Sequence, residues 1–145
     1  MSYFKAMQIS SSGLSAQRLR MNVLSANLAN AQSTRGDNGG PYRRRDVVFS
    51  AIPTGEKFQD YLDGTQNSEL KKVEVIGIHK DPSEFRRTFD PAHPDADKQG
   101  YVNLPNVQVM TEMVNMLTAT RAFEANATAI DDAKQMALRA LEIGR

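Results

Sequence analysis

The chain has 145 residues, of which 40% are hydrophobic and 24% charged, and this composition predicts one globular domain with a modest core. Its formal net charge of +1 argues against a dedicated nucleic-acid-binding protein, because such proteins usually carry a basic excess on one face. The absence of cysteine excludes disulfides, thiolate metal sites and cysteine nucleophiles.

The sequence predicts neither a membrane span nor a cleavable secretory signal. No run of about 18 apolar residues occurs, so we expect no membrane-spanning segment. The first residues, MSYFKAMQISSSGLSAQ, lack the apolar block of a cleavable signal. We therefore expect that any export of the chain follows a route that removes no signal peptide.

Composition divides the chain into three regions. Residues 1–31 contain no proline and predict a helix, whereas residues 32–105 hold all six prolines and seven of the nine glycines. Residues 106–145 are rich in alanine, methionine and leucine and predict a second helix. The predicted fold is mainly α: long N- and C-terminal helices form an antiparallel hairpin or coiled coil, with a small irregular β-rich insert between them.

The N-terminal helix carries two apolar rows. One row repeats every seven residues, and the second lies on roughly the opposite side at about 100° per residue. The members are Met7, Leu14, Met21 and Leu28 in the first row and Ile9, Ala16 and Val23 in the second. A helix with two apolar faces needs neighbours on two sides, and the chain offers one long partner, its own C-terminal helix. We expect the other neighbour to be another molecule.

Two asparagines interrupt this helix near its end. Asn27 and Asn30 stand beside Leu24 and Leu28, although asparagine is a poor helix former. A buried polar side chain at a helix interface fixes register at a cost in stability, and Asn126 could act similarly on the C-terminal helix. The alternative is simple capping of the helix end by Asn30.

The insert predicts two strands and two turn-rich loops. The strands are Arg44–Ile52 and Lys71–Asp81, and the loops are residues 36–45 and 90–100. The expected inward-facing residues of the second strand are Val73, Val75 and Ile78.

The C-terminal helix is predicted over residues 107–143, with Asn106 as its N-cap and Gly144 as its stop. Its heptad row is Val109, Met116, Phe123, Ile130 and Ala137. At 1.5 Å per residue the helix would be about 55 Å long, more than a domain of this size can cover.

The sequence offers no convincing catalytic, cofactor or metal site. Asp90, His93, Asp95 and Asp97 lie close together, but their spacing fits neither calcium nor zinc patterns, and local turn hydrogen bonding is the favoured interpretation. SELK at 68–71 matches a short hydrolase motif whose companion elements are absent.

Tyr42, Arg43, Arg44 and Arg45 form a compact basic patch with one aromatic ring. Three interpretations stay open: a salt-bridged strand start, a binding site for nucleic acid or another acidic polymer, and a contact between subunits, where arginine is favoured.

Both ends of the chain resemble the flagellar axial proteins of bacteria, which include the rod, hook and hook-filament junction subunits. Residues 11–34, SSGLSAQRLRMNVLSANLANAQST, resemble the rod-family signature, and residues 106–130, NVQVMTEMVNMLTATRAFEANATAI, match at the other end. Residues 39–49 and 90–107 resemble the proximal rod proteins of that family. Gln108 stands where the family often has an acidic residue, and residues 53–70 match nothing.

The resemblance implies a structural, non-enzymatic subunit of the basal-body rod. Such subunits assemble helically around the export channel, transmit torque, and occupy the periplasmic space after type III export without signal cleavage. The implied partners are copies of the chain, other rod subunits, and the membrane ring and export apparatus at the rod base, with the distal rod as a further candidate. No cofactor and no nucleic acid are implied.

We expect assembly contacts along the terminal helices and in the basic patch. The helical residues are Leu14, Met21, Val23, Leu24, Asn27, Leu28, Asn30, Met113, Met116, Arg121, Phe123, Asn126 and Ile130, and the patch residues are Tyr42, Arg43, Arg44 and Arg45.

Overall fold

The computed structural model describes residues 3–36, 39–54 and 70–143. Half of these residues lie in helices and 22% in strands. The elements, in chain order, are α1 (Tyr3–Ala29), β1 (Arg45–Pro53), β2 (Lys71–Lys80), β3 (Arg86–Phe89), β4 (Tyr101–Leu104) and α2 (Val109–Ile143). Two helices therefore flank a small β-rich region. The predicted stop at Gly144 and Ser68 of the SELK match lie outside the described residues.

Local hydrogen bonds define the facing ends of the two helices. At the end of α1 the Asn30 side chain donates to the Ala26 carbonyl, and the Ser33 amide donates to the Asn30 carbonyl. At the start of α2 the Glu112 amide donates to the Gln108 carbonyl. The prediction of Asn106 as the N-cap is wrong, because α2 begins at Val109 and the Asn106 side chain accepts a hydrogen bond from the Arg44 amide.

The strands form two separate two-stranded sheets, β1 with β2 and β3 with β4. The second pair is antiparallel, with Arg86 opposite Leu104 and Phe89 opposite Tyr101. Sequence patterning found β1 and β2 but missed β3 and β4, since strands of four residues are too short to show an alternation. Ile78, predicted to face inward, is 48% exposed, because side chains alternate along a strand and residue 78 lies on the face opposite the half-buried Val73 and Val75.

The chain divides into two compact units. Unit 1 comprises Met1–Leu19, Val48–Gly77 and Ala119–Arg145, and unit 2 comprises Arg20–Val47 and Ile78–Thr118. Among the described residues the buried apolar side chains of unit 1 are Ala16, Ala119 and Ala133. Those of unit 2 are Val23, Leu24, Ala31, Val47, Val102 and Val107, accompanied by Pro105. Unit 2 therefore has the better core.

The β3–β4 turn in unit 2 requires one glycine. Gly100 has a φ of +82°, and a Cβ at this position would lie 2.9 Å from the Phe89 ring. Positive φ is costly for other residues, and here the ring also occupies the space that a side chain would need.

Neither helix, over its described residues, is long and apolar enough to cross a membrane.

Candidate assembly site

Asn27 lies at the centre of a buried polar cluster in unit 2. Its side chain is 0% exposed, and its Nδ2 donates to Glu112 Oε2 and to the Arg45 carbonyl, both at 2.8 Å. Its Oδ1 accepts from the Arg45 amide at 3.0 Å and from the Tyr42 hydroxyl at 2.9 Å. A carboxamide offers two donors and two acceptor positions, so every one of them is used. Asn27 thus joins α1, the loop before β1 and α2.

Glu112 supplies the charge of this cluster from the first turn of α2. It is 1% exposed, and its Oε1 accepts from Arg44 Nε at 2.8 Å while its Oε2 accepts from Asn27. A carboxylate near a helix N-terminus is further favoured by the helix dipole. The buried charge is therefore paired and hydrogen-bonded, which is the condition for burying it at acceptable cost.

Arg44 connects three carboxylates of unit 2. Its guanidinium lies 2.8 Å from Glu112, 3.2 Å from Asp46 and 3.7 Å from Asp81. Burial alone would lower the pKa of Arg44, but the hydrogen bond and charge of Glu112, with the contribution of Asp46, outweigh burial and raise it. Arg44 is thus a permanently charged link between the start of β1 and α2.

The Tyr42 hydroxyl completes the cluster as a donor. Burial, reinforced by the nearby charge of Glu112, raises the pKa of Tyr42 despite the opposing charge of Arg45. The hydroxyl therefore keeps its proton and donates to Asn27.

Asn106 and Arg43 make hydrogen bonds to the segment that follows β2. The Asn106 side chain accepts from the Arg44 amide at 2.8 Å and donates to the Ser83 hydroxyl at 2.8 Å. Arg43 Nη1 donates to the Asp81 and Ser83 carbonyls, both at 2.9 Å, and its guanidinium lies 4.3 Å from the Phe85 ring centre. The cluster can hold elements together, but its side chains are engaged in fixed contacts and not presented to a substrate.

The acidic loop between β3 and β4 performs turn chemistry. Asp90 accepts from the Ala92 amide, and Asp97 accepts from the Gln99 and Tyr101 amides, as predicted. Asp95 differs, since it accepts from the Thr34 hydroxyl and from the Arg35 guanidinium. Within the described residues no group of three or more acidic or histidine side chains could hold a metal ion.

The first turns of α2 in unit 2 expose a row of large apolar side chains, here called the α2 stripe. Its members are Met110, Met113, Val114 and Leu117, which are between 54% and 72% exposed. The spacing of three and four residues places them on one face of the helix. Contiguous exposed apolar side chains of this kind mark contact with another molecule.

The predicted helical contact residues fall into three groups by burial. Three of them, Val23, Leu24 and Asn27, are buried within unit 2. Half-buried are Leu14, Met21, Leu28, Asn30, Met116, Phe123, Asn126 and Ile130, and exposed are Met113 and Arg121. Met110, Val114 and Leu117 were missed, although their i, i+4, i+7 spacing in the sequence could have indicated them.

Unit 1 shows a close approach of α1 to α2. A Cβ on Gly13 would lie 2.8 Å from Asn126 Oδ1, and Asn126 Nδ2 donates to the Ala122 carbonyl within its own helix. The space that glycine leaves is thus filled by an asparagine, and the helices meet through small side chains here.

Comparison with known proteins gives matches at both ends and over the full length. The model of the flagella basal body rod protein family matches residues 7–36, and that of the flagellar basal body rod FlgEFG protein C-terminal family matches residues 98–143. The chain is 44% identical to the flagellar basal-body rod protein FlgC of Borreliella burgdorferi, covering 99% of this chain and 98% of the relative. It is 41% identical to FlgC of Bacillus subtilis, with 100% of both chains covered, and 42% identical to FlgC of Aquifex aeolicus, with 98% and 97% covered.

Proposed function

The chain belongs to the FlgC family of flagellar basal-body rod proteins, and we propose that it assembles helically through its terminal helices to form the proximal rod. It is a structural subunit of the basal-body rod, from a family not known to be enzymatic. The proposed assembly is a hollow drive shaft that transmits torque and surrounds the export channel. Its partners are copies of the chain, other rod subunits and, at the rod base, the membrane ring and export apparatus.

The proposed location is the periplasmic part of the flagellar basal body. The proposed route is type III export without cleavage of a signal peptide. Exposed apolar side chains favour aggregation of a free protein, and incorporation into the growing rod would cover them.

The observation that carries the proposal is the exposure of apolar side chains along α2. In unit 2 the α2 stripe lies outside the core, and in unit 1 Leu138, Leu141 and Ile143 are between 52% and 86% exposed. At roughly 25 cal/mol per Å², burial of several hundred Å² per neighbour would contribute many kcal/mol before ordering entropy is subtracted. Packing against neighbouring subunits is the simplest way to cover these side chains.

We further propose that residues 1–31 and 106–145 form an antiparallel helical hairpin in the rod, and that residues 32–105 form an outer arm. The support is a pair of contacts. Asn27 meets Glu112 in unit 2, and Gly13 approaches Asn126 in unit 1, so each unit contains one contact between the two helices. Tyr42 to Arg45 belong to the proposed arm.

The test is electron microscopy of basal bodies from cells lacking the gene. The expected result is loss of the rod above the membrane ring and recovery with the wild-type gene. Intact basal bodies in the deletion strain would contradict the proposal and favour a rival class, a helical adaptor that works as a discrete oligomer.

A substitution in the α2 stripe tests the carrying observation directly. Met113→Asp places a charge where we expect an apolar contact, so it should abolish rod recovery while the purified subunit keeps its helical circular dichroism. Thr111→Asp is the matched control, because Thr111 is exposed on the same turn and outside the stripe. Equal recovery by both variants would remove the stripe from the assembly contact.

A further inference from the structure

A basic groove runs along the outer side of the polar cluster in unit 2. Its volume is about 470 Å³, and its lining includes Tyr42, Arg43, Arg45, Lys80 and Phe85. Three cations and two aromatic rings thus surround one open space. None of the described residues that line the groove is acidic, so those residues give it a net positive charge.

The cations of the groove differ in how they are engaged. Arg43 donates to two backbone carbonyls, which orient its guanidinium, and its charge also acts on the Asp81 carboxylate. Arg45 lies 5.5 Å from the Tyr42 ring centre, and its Nε is buried without a hydrogen-bond partner among the described residues. Lys80 is exposed and in no ion pair within the described part of the chain.

Three cationic side chains around one groove favour an anionic ligand. Arginine binds carboxylates through parallel hydrogen bonds. A carboxylate-bearing ligand would pair with these cations and neutralise the groove. The aromatic rings favour a ligand that also carries apolar side chains, as a polypeptide does.

The chain itself carries a matching acidic feature on α2. Asp131 and Asp132 are the only two adjacent acidic residues in the sequence, and Arg43 to Arg45 are its only run of three cations. Both aspartates are exposed, and neither is in an ion pair with another described residue. Glu124 is exposed seven residues earlier, on the same face of the helix.

We propose that the basic groove binds the Asp131–Asp132 pair of a second copy of this chain. The contact joins two different surfaces, and repetition of such a head-to-tail contact generates an open helical assembly. This inference rests on the proposed function and adds which surfaces meet. Helical assembly through other surfaces would leave the function intact and the groove unused, so the two can fail separately.

The absence of cysteine makes thiol crosslinking a clean test. Cells lacking the gene would express one copy with Lys80→Cys and a second, differently tagged copy with Asp132→Cys, and isolated basal bodies would be treated with a short thiol-to-thiol crosslinker. The expected product is a dimer carrying both tags. Lys98→Cys replaces Lys80→Cys as the control, because Lys98 is exposed but lies outside the groove lining.

The outcomes separate the inference from its premise. Rods that contain both variants but give no mixed dimer would overturn the groove contact while leaving the rod function in place. A groove thiol that is protected from alkylation in rods, without forming the dimer, would mean that another chain or an acidic polymer fills the groove, which also overturns it. Absence of the wild-type chain from basal bodies would instead overturn the proposed function.

Charge reversal provides a second measurement that needs no crosslink. Lys80→Glu should reduce the swimming-halo diameter at least twofold, and adding Asp132→Lys to it should restore at least half of the loss. Restoration supports the contact, because a merely structural defect at Lys80 would not respond to a distant charge. No effect of Lys80→Glu, or no restoration, would contradict it.

Discussion

The two units of this subunit bury side chains that differ in size and polarity. Among the described residues the buried apolar side chains of unit 1 are all alanines, at positions 16, 119 and 133. Unit 2 buries valines, a leucine and the Asn27–Glu112 pair. An alanine contributes one methyl group to a core, roughly 0.8 kcal/mol, whereas a leucine or valine contributes about 1.5–3 kcal/mol. Unit 2 therefore has more to hold it together within a single chain.

These two kinds of burial have different consequences for the two helices that share them. Small side chains allow helices to approach closely, as at Gly13, but leave little apolar area covered. A satisfied polar cluster fixes one arrangement of α1, α2 and the start of β1 without help from a partner. Unit 2 is thus expected to be ordered in the free subunit, and unit 1 to gain order from neighbours.

Hydrogen exchange on the purified subunit should show the largest contrast. Amides of α1 in unit 1, residues 3–19, are expected to exchange roughly 100-fold faster than those in residues 20–29, since about 1.4 kcal/mol of opening free energy corresponds to a factor of ten. Assembled rods serve as the control, where both segments should be protected. Uniform protection of the free subunit, with sharp cooperative melting of all helices, would break the comparison.

Removal of the buried carboxylate should cost the next largest amount. Glu112→Ala leaves Arg44 and the Asn27 amide without their acceptor, and breaking a buried ion pair from one side costs about 3–5 kcal/mol. The loss is measured by urea denaturation of the whole chain, with hydrogen exchange of residues 20–29 reporting on unit 2. Glu124→Ala, on the exposed face of the same helix, should change stability by less than about 0.5 kcal/mol.

Asn27→Leu separates helix formation from register. Leucine favours a helix more than asparagine does, so the helical signal should persist. The Tyr42 hydroxyl and Arg45 amide lose their acceptor, which costs about 2 kcal/mol, and rods should fail to assemble correctly. Asn22→Leu is the matched control, since Asn22 is exposed on α1. Normal motility of the Asn27 variant would show that the cluster does not set register.

A double-mutant cycle at Gly13 and Asn126 probes the packing of unit 1. Gly13→Ala gains about 1 kcal/mol of helix propensity, but its Cβ would displace the Asn126 side chain. The two effects should nearly cancel in the wild-type background, whereas the gain should appear when Asn126→Ala is already present. Thermal melting in assembled rods measures both. An equal effect in the two backgrounds would mean that the helices do not meet at this point.

Acid should loosen the β3–β4 turn with the smallest effect. The amide hydrogen bond from Tyr101, with that from Gln99 and the charge and hydrogen bond of the Arg87 guanidinium, lowers the pKa of Asp97 below its usual 3.8. A lowered pKa in the folded chain means that the stabilisation is complete above pH 3.8 and disappears as pH falls through the folded value. The amide resonances of residues 99 and 101 should therefore shift only below about pH 4. Asp97→Asn should remove this titration, and its persistence would assign the effect to another group.

Sequence reasoning found the helices because their patterns are long. The apolar spacing from residue 107 onward predicted α2 to within two residues of its observed start at Val109. It also recognised β1 and β2, whose runs of nine and ten residues show apolar patterning. The resemblance at both ends of the chain then gave the family, which composition alone could not have given.

The polar cluster shows what sequence reasoning could not reach. Asn27 looked anomalous in its helix, but the partner that satisfies it lies 85 residues away, and no local pattern connects the two. Arg44 was grouped with Arg43 and Arg45 as one patch, although Arg44 pairs with Glu112 while Arg45 Nε stays without a partner in the described structure. Side chains that are neighbours in sequence thus have different partners in the fold.

The span between Asn27 and Glu112 also dictates when this subunit can finish folding. A contact that closes so long a loop forms late, because the entropy of bringing its ends together must be overcome first. A ribosome or a narrow pore releases the chain from one end, so unit 2 has to wait until both residue 27 and residue 112 are free. Until that moment the part of α1 in unit 2 lacks the partner that buries Asn27.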